Sequence, residues 1–229
     1  MLVNAVIVAA GKGTRLGGAA SKVLSPVAGR PLILHALDRF AAAREVDRAV
    51  LVVPADGVAE YEALLQTSPP AGLTVVVRPG GARRQDSVRA GLDALAPDCE
   101  VVVVHDGARP FASAGLIDRC VRESRPGRSV TAAVPARNTI KSVQDGQVME
   151  TLPRNRLWEI QTPQAFPVRV LRDAYEKAER EGVEATDDAM LVERLGMPVR
   201  VVEGSTTNLK VTYPEDLLFA EALVVRGLV

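Results

Sequence analysis

The chain has 229 residues, 47% hydrophobic and 24% charged, with 28 Lys and Arg set against 28 Asp and Glu. That balance provides no overall field for nucleic acid or an anionic membrane, so neither is expected as a partner and any affinity for phosphate must come from a local cluster of cations. The length suits one α/β domain, 1–229; no apolar run approaches a membrane span, and the opening run is too short for a signal segment. Cys99, Cys120, His35 and His105 lie in no metal-ligating spacing, which reads as reduced structural thiols in a cytoplasmic protein.

The chain opens on an apolar strand, Ala5-Val6-Ile7-Val8, which runs into Ala9-Ala10-Gly11-Lys12-Gly13-Thr14-Arg15-Leu16-Gly17-Gly18 and then Ser21-Lys22. Glycines let a backbone approach a ligand closely, and Lys12, Arg15 and Lys22 bring positive charge, a combination that suits a polyphosphate. A helix is predicted over 31–43, with Pro31 in its first turn and Ile33, Ala36, Leu37 and Phe40 on the buried face. The β-branched runs 50–53, 74–77 and 101–104 read as further strands, covered on both faces as in a parallel sheet. Between and after them, Val88, Leu92 and Leu95 make one helical stripe, and Leu116, Ile117, Cys120 and Val121 another. The alternation implies an α/β fold, a doubly wound and mostly parallel sheet. Ligands bind such sheets at the carboxyl ends of the strands, where the opening loop and His105-Asp106 both lie.

The alternation stops near residue 134. Asp145-Gly146 between two alternating runs is a hairpin signal, so 135–158 reads as a protruding β-hairpin arm. A lone hairpin needs something to pack on. The preferred reading is an arm that reaches a second subunit of a homodimer, the alternative a flap over its own domain. After Pro163 and Pro167 helical patterns return, with Val170, Leu171, Ala174 and Ala178 on one face. Thr186-Asp187-Asp188 resembles an N-cap with acids in the first turn, although an acidic pair also admits a metal. A strand over 199–202 and a last helix opened by Pro214 complete the chain.

Two familiar nucleotide loops fail against the opening stretch. A Walker A frame needs Ser or Thr after its lysine, where Gly13 follows Lys12; a dinucleotide loop needs glycine where Leu16 stands, and an acid closing the second strand, where Pro54 follows Val53. Ala-Ala-Gly-x-Gly-x-Arg followed by Ser-Lys is instead similar to the signature of nucleotidyltransferases acting on sugar or polyol phosphates. Further segments narrow it: Gly80-Gly81-Ala82-Arg83-Arg84-Gln85-Asp86-Ser87-Val88, His105-Asp106-Gly107-Ala108-Arg109-Pro110, Arg154-Asn155-Arg156-Leu157-Trp158, Gln161-Thr162-Pro163-Gln164 and Asn208-Leu209-Lys210-Val211-Thr212. In that order, and essentially end to end, they resemble the 2-C-methyl-D-erythritol 4-phosphate cytidylyltransferase family of the non-mevalonate isoprenoid pathway.

The resemblance implies a nucleotidyltransferase Rossmann-like fold and transfer of a cytidylyl group from CTP to the polyol phosphate, with release of pyrophosphate. An already ionised phosphate attacks the α-phosphorus in line, so positioning and electrostatic stabilisation carry the catalysis, with basic side chains and a divalent cation, Mg²⁺, as the tools. Arg15 and Lys22 are expected on the triphosphate, and Arg154 and Lys210 on the acceptor phosphate, all four as catalytic residues, with Thr139 and Arg156 as weaker acceptor contacts. Ala9, Ala10, Gly11, Gly13, Gly80, Gly81 and Ser87 are expected around the nucleotide, and Asp106 beside it as the Mg²⁺ ligand, a turn-capping aspartate being the alternative. His105 is expected to be structural. Arg109 is expected to close the phosphate site or to pair with a neighbouring acid, and Asp86 to contact the base or to cap its helix. Two departures stand out: Ser21 precedes Lys22 where the family commonly has proline, and Thr206-Thr207 stands where it often has an acid. A cytidylyltransferase for another polyol phosphate such as ribitol 5-phosphate, a Rossmann-type dehydrogenase and a silent nucleotide-binding regulator are the competing readings.

Overall fold

Alternate residues of each apolar run go to opposite faces of one sheet, and helices cover both faces. The computed structural model describes residues 1–11, 21–125 and 127–229. Its elements are β1 (Leu2–Val8), a 3₁₀ turn (Lys22–Leu24), a short pair β2 (Pro26–Val27) and β3 (Arg30–Pro31), α1 (Leu32–Ala41), β4 (Arg48–Val53), α2 (Val58–Thr67), β5 (Thr74–Pro79), α3 (Arg84–Asp93), β6 (Cys99–Asp106) and α4 (Ala114–Ser124). Then come β7 (Ser129–Pro135), β8 (Lys141–Gln144), β9 (Gln147–Thr151), a 3₁₀ turn (Arg154–Arg156), β10 (Trp158–Pro167), α5 (Val168–Glu181), α6 (Asp188–Glu193), β11 (Val199–Glu203) and α7 (Pro214–Val225).

Among the described residues seven strands form one sheet in the order β11-β7-β10-β6-β1-β4-β5. All neighbours are parallel except β10, which runs antiparallel to both β6 and β7. Val3, Ala5, Ile7, Leu51 and Val103 face a layer that includes Leu37, Tyr61 and Ile117. Val6, Val50, Val52, Val102 and Val104 face Val88, Leu92, Leu171 and Val192 on the other side. The chain leaves β1 toward β4 and β5, then returns to place β6 on its other flank. That reversal opens a crevice at the carboxyl ends of β1 and β6, where ligands of doubly wound sheets bind.

The sheet does not end at residue 134, because β7, β10 and β11 extend it. Strand β10 escaped the reading because Pro163 and Pro167 argue against a central strand; the sheet accommodates Pro163 within a register irregularity between Ile160 and Gln164. The arm is where the turn signal puts it. Asp145 and Gly146 both have positive φ, 50° and 77°, as a two-residue primed turn requires. Trp158 pairs with Pro135, so the hairpin is a continuation of the β7–β10 pair, and every residue of β8 and β9 is exposed.

Candidate active site

Close approach of two loops builds the first half of the site. Gly80, after β5, sits so near the end of β1 that a Cβ there would lie 2.6 Å from Ala10 Cβ and 2.7 Å from Ser87 Oγ. The N–H groups of Ala9 and Gly80 donate to the Val52 and Val53 carbonyls at 2.7 and 2.8 Å, fixing both loops to β4. Between them lies a cavity of about 310 Å³ bordered by Ala9, Ala10, Gly11, Gly81 and Ser87. Among the described residues its charged lining is four cations, Lys22, Arg83, Arg84 and Lys210, against one carboxylate, Asp106. Such a cavity suits a polyanion. Arg15 and Gly13, expected here, lie outside the described residues.

A second cavity of about 440 Å³ adjoins the first and shares Arg84, Asp106 and Lys210 with it. Asp106, at the end of β6, is the hub: Oδ1 accepts from Arg84 Nε at 3.1 Å, Oδ2 pairs with Lys210 Nζ at 2.8 Å, and Arg109 Nε lies 3.8 Å from Oδ2. Burial alone would raise the Asp106 carboxyl, but these cations override it and hold it far below the usual range. Arg84 is fixed from behind by Asp188, whose fully buried carboxylate accepts from Nη2 at 2.7 Å and from the Tyr175 hydroxyl. Burial would lower the Arg84 guanidinium; Asp188 and Asp106 together raise it instead.

Strand β10 supplies the floor. Thr162 Oγ1 accepts from Asp106 N and donates to His105 Nδ1, both at 3.0 Å, while His105 Nε2 donates to the Arg109 carbonyl at 2.9 Å. This fixes a neutral tautomer, and burial pushes the imidazole pKa down to about 4. His105 is therefore structural, packed on Phe40 with ring centroids 5.0 Å apart. Asn208 Nδ2 donates to Thr162 O at 2.8 Å and Gln161 Oε1 at 3.1 Å, and Val211 N to Ala108 O at 2.9 Å. These bonds hold the loop that presents Lys210. At Gly204 a Cβ would collide with the Gln161 side-chain oxygen, so a larger residue there would have to displace the Gln161 amide that bonds Asn208 and Ser205. Arg109 pairs with Asp106 and donates to Asn208 O at 2.8 Å, and Asp86 accepts from Arg83 N at 3.1 Å as a helix cap. Thr207 closes a turn with Ser205 Oγ at 2.9 Å.

The expected acceptor residues on the arm do not join this cluster within one protomer. Thr139, Arg154 and Arg156 are exposed, Arg154 Nη1 donates to Arg137 O at 2.8 Å, and no residue between 135 and 158 borders either cavity. Among the described residues no helix is long and apolar enough to cross a membrane. A larger groove of about 540 Å³ lies elsewhere, between α4 and β11, where Arg200 pairs with Glu123 at 3.3 Å.

Comparison with known proteins gives the family. The family model described as 2-C-methyl-D-erythritol 4-phosphate cytidylyltransferase matches residues 3–226. The chain belongs to that family. It is 44% identical over 225 residues to the enzyme of that name from Pelotomaculum thermopropionicum, covering 97% of this chain and 94% of the other. The enzyme of the same name from Dehalococcoides mccartyi is 41% identical, with 98% and 97% covered. Among solved structures, 4-diphosphocytidyl-2C-methyl-D-erythritol synthase from Anaerococcus prevotii superposes with a TM-score of 0.87 at 32% identity, over 98% of this chain and 99% of that one. The cytidylyltransferase from Thermus thermophilus does so with a TM-score of 0.80 at 36% identity, over 98% and 100%. The enzymes of this family are nucleotidyltransferases, which generally use a divalent cation.

The donor set can be tested against such a cation. Asp106 offers hard anionic oxygens on the floor shared by both cavities. Among the described residues no three or more His, Cys, Asp or Glu side chains converge to hold a metal. One carboxylate fits a cation that arrives on a triphosphate and keeps several phosphate and water ligands; it does not make an all-protein cage. Arg84, Thr162 and Asp188 gain these roles from the structure: Arg84 lies in the segment 80–88 that resembles the family's, while Asp188 in the sequence has the pattern of a first-turn acid.

Proposed function

We propose that the two cavities beside Asp106 bind CTP and 2-C-methyl-D-erythritol 4-phosphate, and that this chain joins them with release of pyrophosphate, the family's step in the non-mevalonate route to isoprenoid precursors. The observation that carries the reading is the shared wall of Arg84, Asp106 and Lys210, which puts a nucleotide cavity and an acceptor cavity on either side of one charged cluster.

Triphosphate in the first cavity meets Lys22, with Arg15 expected beside it, and these cations stabilise the charge that grows on the α-phosphorus. Ala9 and Gly80 have committed their N–H groups, so their carbonyl oxygens are the atoms offered to the cytosine amino group; Gly11, Gly81 and Ser87 shape the remaining cradle, with Gly13 expected beside them from the sequence. Lys210 holds the acceptor phosphate and aims an oxygen at the α-phosphorus, with no general base needed because that phosphate is ionised. Asp106 is the residue that would hold Mg²⁺, which would supply charge neutralisation for the departing pyrophosphate. Thr139, Arg154 and Arg156 are assigned to the acceptor from the arm of a second copy of the chain, which makes 135–158 the dimerisation element of a single domain. A cytoplasmic location accords with two unpaired cysteines, Cys99 and Cys120.

The deciding experiment measures pyrophosphate release from CTP and Mg²⁺ with methylerythritol phosphate or ribitol 5-phosphate as acceptor. Turnover with methylerythritol phosphate at least tenfold above ribitol 5-phosphate is expected. Equal turnover, or none, overturns the acceptor assignment.

A further inference from the structure

Lys22 sits in a 3₁₀ turn directly after the glycine-rich stretch, and the turn is held at several points. Leu24 N donates to Ser21 O at 2.9 Å and Ser25 N to Lys22 O at 3.2 Å, closing the turn, while Val23 is buried in the core. Lys22 Nζ itself donates to Val211 O at 3.0 Å, in the loop that carries Lys210. One further bond comes from a distant element. Tyr61, in the first turn of α2, is 1% exposed, and its hydroxyl donates to Ser21 Oγ at 2.8 Å.

A buried phenol that reaches a polar partner at the end of an apolar ring spends its only directional bond on that partner. Here the partner is the residue immediately before Lys22. Tyr61 borders neither cavity beside Asp106, so it has no contact of its own with a bound substrate. Burial also pushes the phenol pKa up to about 12, which keeps the donor proton in place at any working pH.

We propose that Tyr61 is a positioning residue for nucleotide binding: through the Ser21 hydroxyl it fixes the entry to the turn that aims Lys22. The inference rests on the reading of Lys22 as a triphosphate contact. Ser21 has φ −58° and ψ 125°. That φ falls where a proline ring would lock the backbone, so a covalent restraint at position 21 can replace the hydrogen bond.

The test is steady-state kinetics on Tyr61→Phe, Ser21→Ala, the pair together, and Tyr61→Phe with Ser21→Pro, each varying one substrate at saturation of the other. Tyr61→Phe is expected to raise KM for CTP about 3- to 10-fold, the size of one lost hydrogen bond. KM for methylerythritol phosphate should stay within about twofold, since the Lys210 loop keeps the bonds of Asn208 Nδ2 and Val211 N that do not involve Lys22. Ser21→Ala should match it, and the pair should be no worse than either alone, because both delete the same bond. Adding Ser21→Pro to Tyr61→Phe should bring KM for CTP back toward that of the parent chain. Unchanged CTP kinetics in both single variants, equal shifts for both substrates, or full additivity overturns the proposal. Lys22→Ala, measured in parallel, separates the two levels: a large loss there with an unaffected Tyr61→Phe sinks the positioning role alone, while an unaffected Lys22→Ala sinks the reading beneath it as well.

Discussion

Arg84 holds two carboxylates at once, Asp106 at 3.1 Å on the cavity floor and Asp188 at 2.7 Å in the interior. The guanidinium reaches the two acids from two different nitrogens, Nε and Nη2, whereas an ammonium has one nitrogen to place between them. Arg84→Ala should therefore destabilise the fold by about 3–5 kcal/mol, since it strands the fully buried Asp188 without its cation. Arg84→Lys should lose less stability but still lower kcat, because the one nitrogen cannot keep both contacts at their present geometry. Urea titration together with turnover distinguishes the two variants, and equal stability losses in both would refute the spanning role. His105 gives the second prediction at this scale. Its folded pKa is about 4 against an ordinary 6.5, so between those values the unfolded chain binds the proton and the folded one does not. Stability from this group is present above pH 6.5 and is lost as the pH falls toward 4, a total of about 3 kcal/mol. His105→Asn should flatten the slope of unfolding free energy against pH across that window; an unchanged slope would remove His105 as its source.

At the scale of elements, much was legible where the chain repeats a simple rule. Val50-Leu51-Val52-Val53 and Val101-Val102-Val103-Val104 announce strands covered on both faces, and Asp145-Gly146 announces a hairpin, because each pattern has a local cause. Strand β10 was not legible, since Pro163 and Pro167 disguise it and its pairing with β6 and β7 is set by partners far away in sequence. The same holds for the site. Asp106 carries its signal at a strand end, Lys22 in the basic stretch that follows the first glycines, and Lys210 only in a segment that resembles the family's, while the Arg84–Asp188 pair joins residues 104 apart and belongs to no periodicity. The arm shows what an element needs beyond its own sequence. Val143 and Val148 are a cross-strand pair, 58% and 57% exposed, on a hairpin with no apolar layer of its own beneath it. On the dimer reading that face is covered by the second copy. Replacing both valines with lysine should convert a dimer to a monomer in sedimentation velocity while leaving the far-ultraviolet circular dichroism of the body unchanged; a dimer that survives the change would place the interface elsewhere.

For the whole molecule, the question is how many chains build one site. The chain presents Lys210 on Asp106, yet its own Arg154 stays out on the arm. If the partner's arm completes the site, two inactive variants should rescue one another. Arg154→Ala and Lys210→Ala homodimers should each be nearly inactive. After mixing and subunit exchange at equal amounts, half the dimers are mixed and each mixed dimer keeps one intact site, so activity should return to about a quarter of the unmutated level. No recovery, with exchange verified by mass, would mean that Arg154 acts in its own chain. The charge distribution has the same whole-molecule character: 28 cations and 28 acids cancel overall, and attraction for a polyphosphate comes from a local cluster, which among the described residues includes Lys22, Arg83, Arg84 and Lys210 around one cavity.

Strand β10 runs through both themes. Its first residues, Trp158 to Ile160, are exposed at the root of the arm, and its next, from Gln161 on, are buried beneath Asp106 and tied to the Lys210 loop. Handle and anvil are thus one strand, joined across the register irregularity between Ile160 and Gln164. On the dimer reading, a partner chain that grips the handle holds the same strand that floors the site it lends an arginine.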